Sequence, residues 1–369
     1  MKSARAAILP RRSIRMPSYA FTPFQPHPLV PGGHVQTLAG VYLPWPALAY
    51  QAEKHCVTLS DGDQIVLHDD CPAHWQPGDR SALLIHGLAG CHTSGYMQRI
   101  AHKLSARGVR AFRMDLRGCG AGVGLARLPY HSGRSEDAAA ALEAIARLAP
   151  RSPTTLAGFS LGANITLKLL GELGQRGCGN LDSAVAVCPP VDLAACSRQI
   201  SRTSNRPYDR FFVKLLVRQI GAAAAMSPDA AGVPFRRRPR SLWHFDNEFT
   251  AVVCGFGTAD AYYREASSAQ YIPSIRIPTL VLAARDDPMI PPDALSAINL
   301  PSSVRVHWTD HGGHLGFVGR GGVDPDRRWM DWRVVDWVLA QPEAASKRSP
   351  DNLELASPPA FGLTGETRT

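Results

Sequence analysis

Gly158-Phe159-Ser160-Leu161-Gly162 sets a serine between two glycines, after the β-like run Thr154–Ala157 and before the helical pattern Asn164–Leu170. A serine at the tip of such a strand-to-helix turn projects its Oγ out of a sheet. The flanking glycines let strand and helix pass without Cβ clashes. Ser160 then stands at a helix N-terminus, where the Leu161 N–H and the helix dipole favour a developing oxyanion. The chemistry this would serve is nucleophilic attack on an acyl carbonyl. A plain turn uses the same residue types, so this reading also needs a base, an orienting carboxylate and a second oxyanion donor.

All three have candidates. The run Ile277–Ala284 reads as a buried strand and ends in Arg285-Asp286-Asp287-Pro288-Met289-Ile290-Pro291, where Asp286 and Asp287 compete for the carboxylate role. Asp-Pro also begins ordinary turns. After the strand-like run Val304–Trp308 comes Asp310-His311-Gly312-Gly313-His314. Two glycines permit a tight loop that returns an imidazole over the strand ends, which makes His314 the candidate general base. His307 and His311 are expected to be structural. The apolar strand Ser81–Ile85 precedes His86-Gly87-Leu88-Ala89-Gly90, and the Leu88 backbone N–H is the expected partner of the Leu161 N–H. Serine, then aspartate, then histidine is a chain order found in one large class of acyl-transferring folds and not in chymotrypsin-like or subtilisin-like enzymes.

The elements that must position these residues alternate. After the strand at 82–85, a helix is expected near Met97–Ala106, a strand at Val109–Leu116, a helix around Glu136–Leu148, then the Ser160 turn and a strand at Ala184–Cys188. Such alternation implies an α/β architecture, a mostly parallel sheet with helices on both faces. Between about Val191 and Ser274 the alternation stops. This stretch holds the amphipathic segment Tyr208–Ile220 and the basic run Arg236-Arg237-Arg238-Pro239-Arg240, and an inserted, mainly helical lid is the expectation. Its aromatics Phe211, Phe212, Trp243, Tyr262 and Tyr263 are candidates for an acyl pocket or for packing lid on body. Residues 1–20, with Lys2, Arg5, Arg11, Arg12 and Arg15, and residues 341–369 read as flexible tails around a domain at 21–340.

Lys and Arg number 40 against 31 Asp and Glu, a formal net charge of +9, but the basic residues are spread along the chain. No zinc-finger spacing, basic zipper or RNA-binding aromatic motif accompanies them, so a nucleic-acid partner is not expected. The Arg236–Arg240 run is a candidate for weak peripheral contact with an anionic membrane. Cys56, Cys71, Cys91, Cys119, Cys178, Cys188, Cys196 and Cys254 show no disulfide-framework spacing and read as reduced, buried thiols. His68, Asp69, Asp70, Cys71 and His74 have metal-ligand types, yet a polar turn at a strand end accounts for them without a metal. The apolar stretch Leu38–Tyr50 is too short to span a membrane and is broken by Pro44 and Pro46. With no secretory leader pattern, a cytoplasmic location is expected.

Beyond the local chemistry, the chain resembles the YheT-like branch of the α/β-hydrolases, a group related to eukaryotic α/β-hydrolase-domain lipases and plant embryogenesis-associated esterases. The resemblance runs from about Pro31 to Ala340. It rests on Pro31-Gly32-Gly33-His34-Val35-Gln36-Thr37, Arg117-Gly118-Cys119-Gly120, Tyr130-His131-Ser132-Gly133, the Ser160 turn with Ala163-Asn164, Phe245-Asp246, Tyr262-Tyr263 and Gly312–Phe317. The G-G-H-V-Q-T piece is far more specific than the serine turn. The resemblance implies the α/β-hydrolase fold and a serine esterase or lipase with Ser160, Asp287 and His314 as triad. Asp287 is favoured over Asp286 because it lies four residues before Pro291, as in the D-x-x-x-P turn of many α/β-hydrolases. A small acyl ester is the expected substrate, and the chemistry requires no metal or organic cofactor. Acyl transfer by the same triad, and ligand binding without catalysis on the same scaffold, remain open at this level.

Overall fold

The computed structural model describes residues 21–46, 51–227, 229, 238–322 and 324–342. The expected tails at 1–20 and 341–369, except Gln341 and Pro342, and Arg236 and Arg237 of the basic run lie outside these residues. Eight strands, β1 (Glu53–Thr58), β2 (Gln64–Asp70), β3 (Ser81–Ile85), β4 (Arg110–Asp115), β5 (Thr154–Phe159), β6 (Leu181–Val187), β7 (Thr279–Ala284) and β8 (Val304–Thr309), form one sheet. Their spatial order is β1-β2-β4-β3-β5-β6-β7-β8, with β2 antiparallel to both neighbours and the other pairs parallel. Every residue of β3, β5 and β7 is buried, as strands covered on both faces require.

Helices α1 (Gly32–Tyr42), α2 (Gly95–Ser105), α3 (Ser135–Leu148) and α4 (Leu161–Leu173) precede β6, and α10 (Pro292–Ser296) and α11 (Trp329–Leu339) follow β7 and β8. Alternating side chains divide the core. Leu83 and Ile85 of β3 pack with Ala138, Leu142 and Ile145 of α3 and Ile165 of α4, while Ala82 and Leu84 pack with Met97 and Ile100 of α2 and Val334 and Trp337 of α11. Chain order reverses between β3 and β5, one running on to β4 and the other to β6. The carboxyl ends of β3 and β5 therefore flank the crevice in which open α/β sheets bind ligands.

Between β6 and β7 the chain builds α5 (Leu193–Ile200), α6 (Arg206–Met226), α7 (Leu242–Phe245), α8 (Ala251–Val253) and α9 (Ala259–Ala266), with a π-helical turn at Asp246–Thr250 joining α7 to α8. Leu193, Ala251, Ala259, Tyr262, Tyr263 and Ala266 give this insertion a small apolar cluster of its own. Asn164 of α4 ties it to the sheet: its Nδ2 donates to Ser132 O at 2.9 Å and Ala266 O at 2.8 Å, and its Oδ1 accepts from Ser268 N at 2.9 Å.

Two expectations need correction. His68, Asp69 and Asp70 do not form a turn after a strand; they are the last residues of β2, and His68 and Asp69 are buried. Ion pairs make this tolerable, because Asp69 takes the Arg110 guanidinium, Asp70 takes Arg113, and the His68 Nε2 meets Asp115 Oδ2 at 2.8 Å. The cysteines are all free, but Cys56 and Cys71 are exposed and only Cys119, Cys178, Cys188 and Cys196 are buried. Among the described residues no helix is long and apolar enough to cross a membrane.

Candidate active site

Ser160 stands between β5 and α4 with φ 52° and ψ −118°, a positive-φ conformation that β-carbon sterics disfavour. Close packing on both sides holds it there. A Cβ on Gly158 would strike the Gly162 carbonyl, and a Cβ on Gly162 would strike the Ile85 carbonyl, so only glycine fits at either position. The Ser160 N–H donates to Val187 O at 2.9 Å, and its carbonyl accepts from Ala163 and Asn164, so the strained residue is fully engaged.

Asp287 and His314 reach Ser160 from the ends of β7 and β8. His314 Nε2 lies 2.8 Å from Ser160 Oγ, and His314 Nδ1 lies 2.7 Å from Asp287 Oδ2. Asp287 is 6% exposed and His314 7%, so the pair is largely removed from water. The other Asp287 oxygen accepts from Met289 N at 2.8 Å and Ile290 N at 3.0 Å, which fixes the carboxylate plane. Asp286 turns elsewhere: its Oδ1 accepts from Gly313 N at 2.8 Å, and its Oδ2 lies 3.5 Å from the His311 ring. His307 is inside β8 and packs, with tilted rings, between Phe21 and Trp329.

The loop after β3 runs beside Ser160, so that a Cβ on Gly87 would lie 3.1 Å from the serine Cβ. Two tyrosines pin this loop, Tyr96 OH accepting from Gly87 N at 2.9 Å and Tyr130 OH from Ala89 N at 2.8 Å. The Leu88 N–H between them, and the Leu161 N–H, have no hydrogen-bond partner among the described residues. Both residues line the cavity that contains Ser160 and His314. The arrangement brings a serine hydroxyl, an imidazole bridged to a carboxylate and two unengaged amide donors to one place.

One support was present in the sequence without a role attached. In α1, Thr37 Oγ1 donates to Gly33 O at 2.7 Å and accepts from His314 N at 2.8 Å. Gln36 accepts from Val318 N and donates to Val318 O, and a Cβ on Gly33 would collide with the Asp286 carbonyl. The G-G-H-V-Q-T segment is thus a clamp on the loops that carry Asp287 and His314.

The cavity at Ser160 is mainly apolar, with Pro190, Leu193, Ile200, Phe212, Leu242 and Met289 in its wall. Of the candidate pocket aromatics, Phe212, Tyr262 and Tyr263 line it, but Phe211 and Trp243 do not; they are 45% and 38% exposed. A second cavity adjoins it. Asp246 lines both, and burial raises its carboxyl to about 7 against hydrogen bonds from Tyr263 and Thr250.

His68, His92 and Asp115 bring metal-ligand types together. The His68 and His92 nitrogens both meet Asp115 Oδ2 at 2.8 Å, and the rings stack 3.5 Å apart, so a carboxylate oxygen occupies the point on which the imidazoles converge. Burial disfavours the Asp115 charge, but hydrogen bonds from both histidines and from His92 N outweigh it and hold the carboxyl well below its usual range. These contacts anchor the end of the loop that carries Leu88.

The α/β-hydrolase fold family model matches residues 83–320. The YheT protein of Escherichia coli is 32% identical over 78% of this chain and 85% of its own length. The monoacylglycerol lipase of Saccharomyces cerevisiae is 30% identical over 67% of this chain and 56% of its own length, and the phospholipase ABHD3 of Mus musculus 27% over 81% and 73%. Among solved structures, 2,6-dihydroxy-pseudo-oxynicotine hydrolase aligns over 83% of this chain and 72% of its own with a TM-score of 0.53 at 16% identity, a likeness of fold alone. With the sheet order and the Ser160 turn, these matches show that the chain belongs to the α/β-hydrolases, in their YheT-like branch.

Proposed function

We propose that this protein hydrolyses carboxylic esters through an acyl-serine intermediate on Ser160. The observation that carries the reading is the continuous hydrogen-bonded path from Ser160 Oγ through His314 to Asp287, beside two unengaged amide donors. With the His314 Nδ1–H donated to Asp287, Nε2 accepts the serine proton as Oγ attacks the acyl carbonyl. Asp287 balances the imidazolium, and the Leu88 and Leu161 N–H groups stabilise the oxyanion, each donor of this kind contributing about 10²–10³ in rate. The imidazolium protonates the leaving alcohol. Water, deprotonated by the same imidazole, then releases the acid.

Short- to medium-chain acyl esters or acylglycerols are the substrates that suit a mainly apolar cavity, and ester-cleaving relatives support the same class. The insertion α5–α9 acts as the lid, since Leu193, Phe212, Leu242, Tyr262 and Tyr263 all belong to it and wall the cavity. Ser160→Ala should keep its fold and lose both fluorophosphonate labelling and hydrolysis of p-nitrophenyl esters. Equal labelling of the mutant would remove Ser160 from the mechanism. Acyl transfer is a second reading, because the adjoining cavity offers an alcohol a place beside the acyl-serine. Product analysis with added alcohols separates the two outcomes.

A weak contact with an anionic membrane surface accompanies this reading. Val35, Leu38, Val41 and Tyr42 are exposed on α1, and Arg206, Arg210, Lys214 and Arg218 are exposed on α6. His34 Nδ1 and Tyr208 OH, 3.1 Å apart, join the two helices. Apolar and basic rows meeting in this way suit an anionic interface.

A further inference from the structure

Asp246 is a buried carboxyl for which the hydrolytic mechanism has no use. Tyr263 OH donates to its Oδ2 at 2.8 Å and Thr250 OH to its Oδ1 at 2.9 Å. A carboxylate has about four acceptor positions, so roughly half of its capacity remains. The titratable groups around it are Tyr262 and Tyr263 of α9, Asp209 of α6, Cys254 after α8 and Tyr130 of the loop after β4. None of these is a cation, and Asp209 adds a like charge. Arg117, which lines the second cavity, is held by Asp61, Asp63 and Asp137. A carboxyl left in this state is costly as a structural element alone.

Its backbone is also unusual. Asp246 opens the π-helical turn Asp246–Thr250 that interrupts an otherwise α-helical path, a form that occurs mostly as single turns and is frequent at functional sites. The side chain is delivered to a particular place. Leu88, Leu161, Asp246 and Tyr262 line both cavities, so they form the partition between them. Leu88 and Leu161 carry the proposed oxyanion donors, which puts the reacting carbonyl at this partition, with the acyl chain to one side and the alcohol to the other. A group on the partition therefore meets atoms close to the ester bond.

Resting on the ester-hydrolase reading above, we propose that Asp246 is a specificity-determining residue, whose carboxyl binds a hydroxyl adjacent to the ester oxygen and so selects esters of vicinal diols and glycerol over esters of simple alcohols. Among the described residues Asp246 is the only carboxylate in the wall of the Ser160 cavity. A hydroxyl can be bound by either protonation state, since the acid can donate or accept and the carboxylate accepts more strongly. Because burial brings the carboxyl to about 7, discrimination rises with pH across neutrality.

The test compares kcat/KM for glycerol 1-monobutyrate and propyl butyrate, which share an acyl group, in wild type, Asp246→Asn and Asp246→Leu. The wild-type ratio should favour the glycerol ester about tenfold, the scale of one hydrogen bond, and should increase from pH 6 to pH 8. Asp246→Asn, which retains donor and acceptor atoms, should keep a preference that no longer varies with pH; Asp246→Leu should lose it. Equal ratios in wild type and Asp246→Leu, or a wild-type ratio that is flat with pH, overturn the inference. The wild-type pH series needs no variant to fold. Failure of the wild type to cleave either ester counts instead against the ester-hydrolase reading.

Discussion

Thr37→Val tests whether α1 positions the catalytic base. Valine matches threonine in shape but has no hydroxyl, so the buried Gly33 carbonyl loses its donor and the His314 N–H loses its acceptor. Leaving a buried polar group unsatisfied costs about 1–3 kcal/mol, and local relaxation recovers part of the cost for two neighbouring groups. A net loss of about 2 kcal/mol is expected, which is a few degrees in Tm for a domain of this size. The kinetic effect should be larger. His314 sits on a loop with two preceding glycines, and a shift of about 1 Å in the imidazole costs on the order of 10² in rate. In steady-state assays with p-nitrophenyl butyrate, kcat should fall 10- to 100-fold with KM little changed. Thr37→Ser should restore most of the activity, because its hydroxyl can make both bonds. If Thr37→Val retains kcat within about twofold while its Tm drops, the clamp serves stability alone and the positioning argument is refuted.

Three further expectations follow from the geometry. Asp287→Asn should reduce kcat by orders of magnitude, whereas Asp286→Asn, which keeps an acceptor for Gly313 N, should cost much less; the reverse order with both variants folded would reassign the carboxylate role. The raised Asp246 carboxyl loses its proton first in the unfolded chain, so its contribution to stability is present at low pH and falls by about 1.4 kcal/mol per pH unit between about 4 and about 7. Urea titrations should show Asp246→Asn gaining on wild type through that window, and a difference independent of pH would contradict the assignment. Replacing Arg206, Arg210, Lys214 and Arg218 by Gln should weaken low-salt sedimentation with anionic vesicles, each basic group contributing about 1 kcal/mol near such a surface, and identical sedimentation of both forms would exclude the membrane contact.

What could be read from the sequence was local and strongly constrained. A strained serine needs small neighbours at fixed spacing, and buried parallel strands need short continuous apolar runs, so the turn at 158–162 and the strands around 82–85, 109–116 and 277–284 were visible without tertiary context. β1 was not placed, and the strand expected before His68 was ended too early. Their polar content, including His68, Asp69 and Asp70, argues against a buried strand until the partners Arg110, Arg113 and Asp115 of β4 are brought beside them, and that pairing spans more than 40 residues of sequence. The aromatics of the insertion were visible as a set but not by direction. Helical phase decided that Phe212 faces the cavity and Phe211 faces outward, and the phase follows from which positions of α6, Asp209, Val213 and Leu216 among them, are packed inward.

The difference between Asp286 and Asp287 marks the limit more sharply. Both are turn-forming aspartates at a strand end, and neighbouring positions on such a turn point in different directions. Only the spacing to Pro291, taken from the family resemblance, separated them. The geometry supplies a physical ground that spacing lacks: one carboxylate holds the Gly313 N–H of the histidine loop while the other meets the imidazole. The two aspartates thus act on the same loop at adjacent points, with Thr37 of α1 at a third. An imidazole held by its ring partner, the N–H preceding it and its own N–H has little freedom to leave Ser160. That over-determination explains how a loop rich in glycine can carry a base requiring sub-ångström placement, and why the segment with the most specific sequence signature lies nearly 280 residues away from the histidine it restrains.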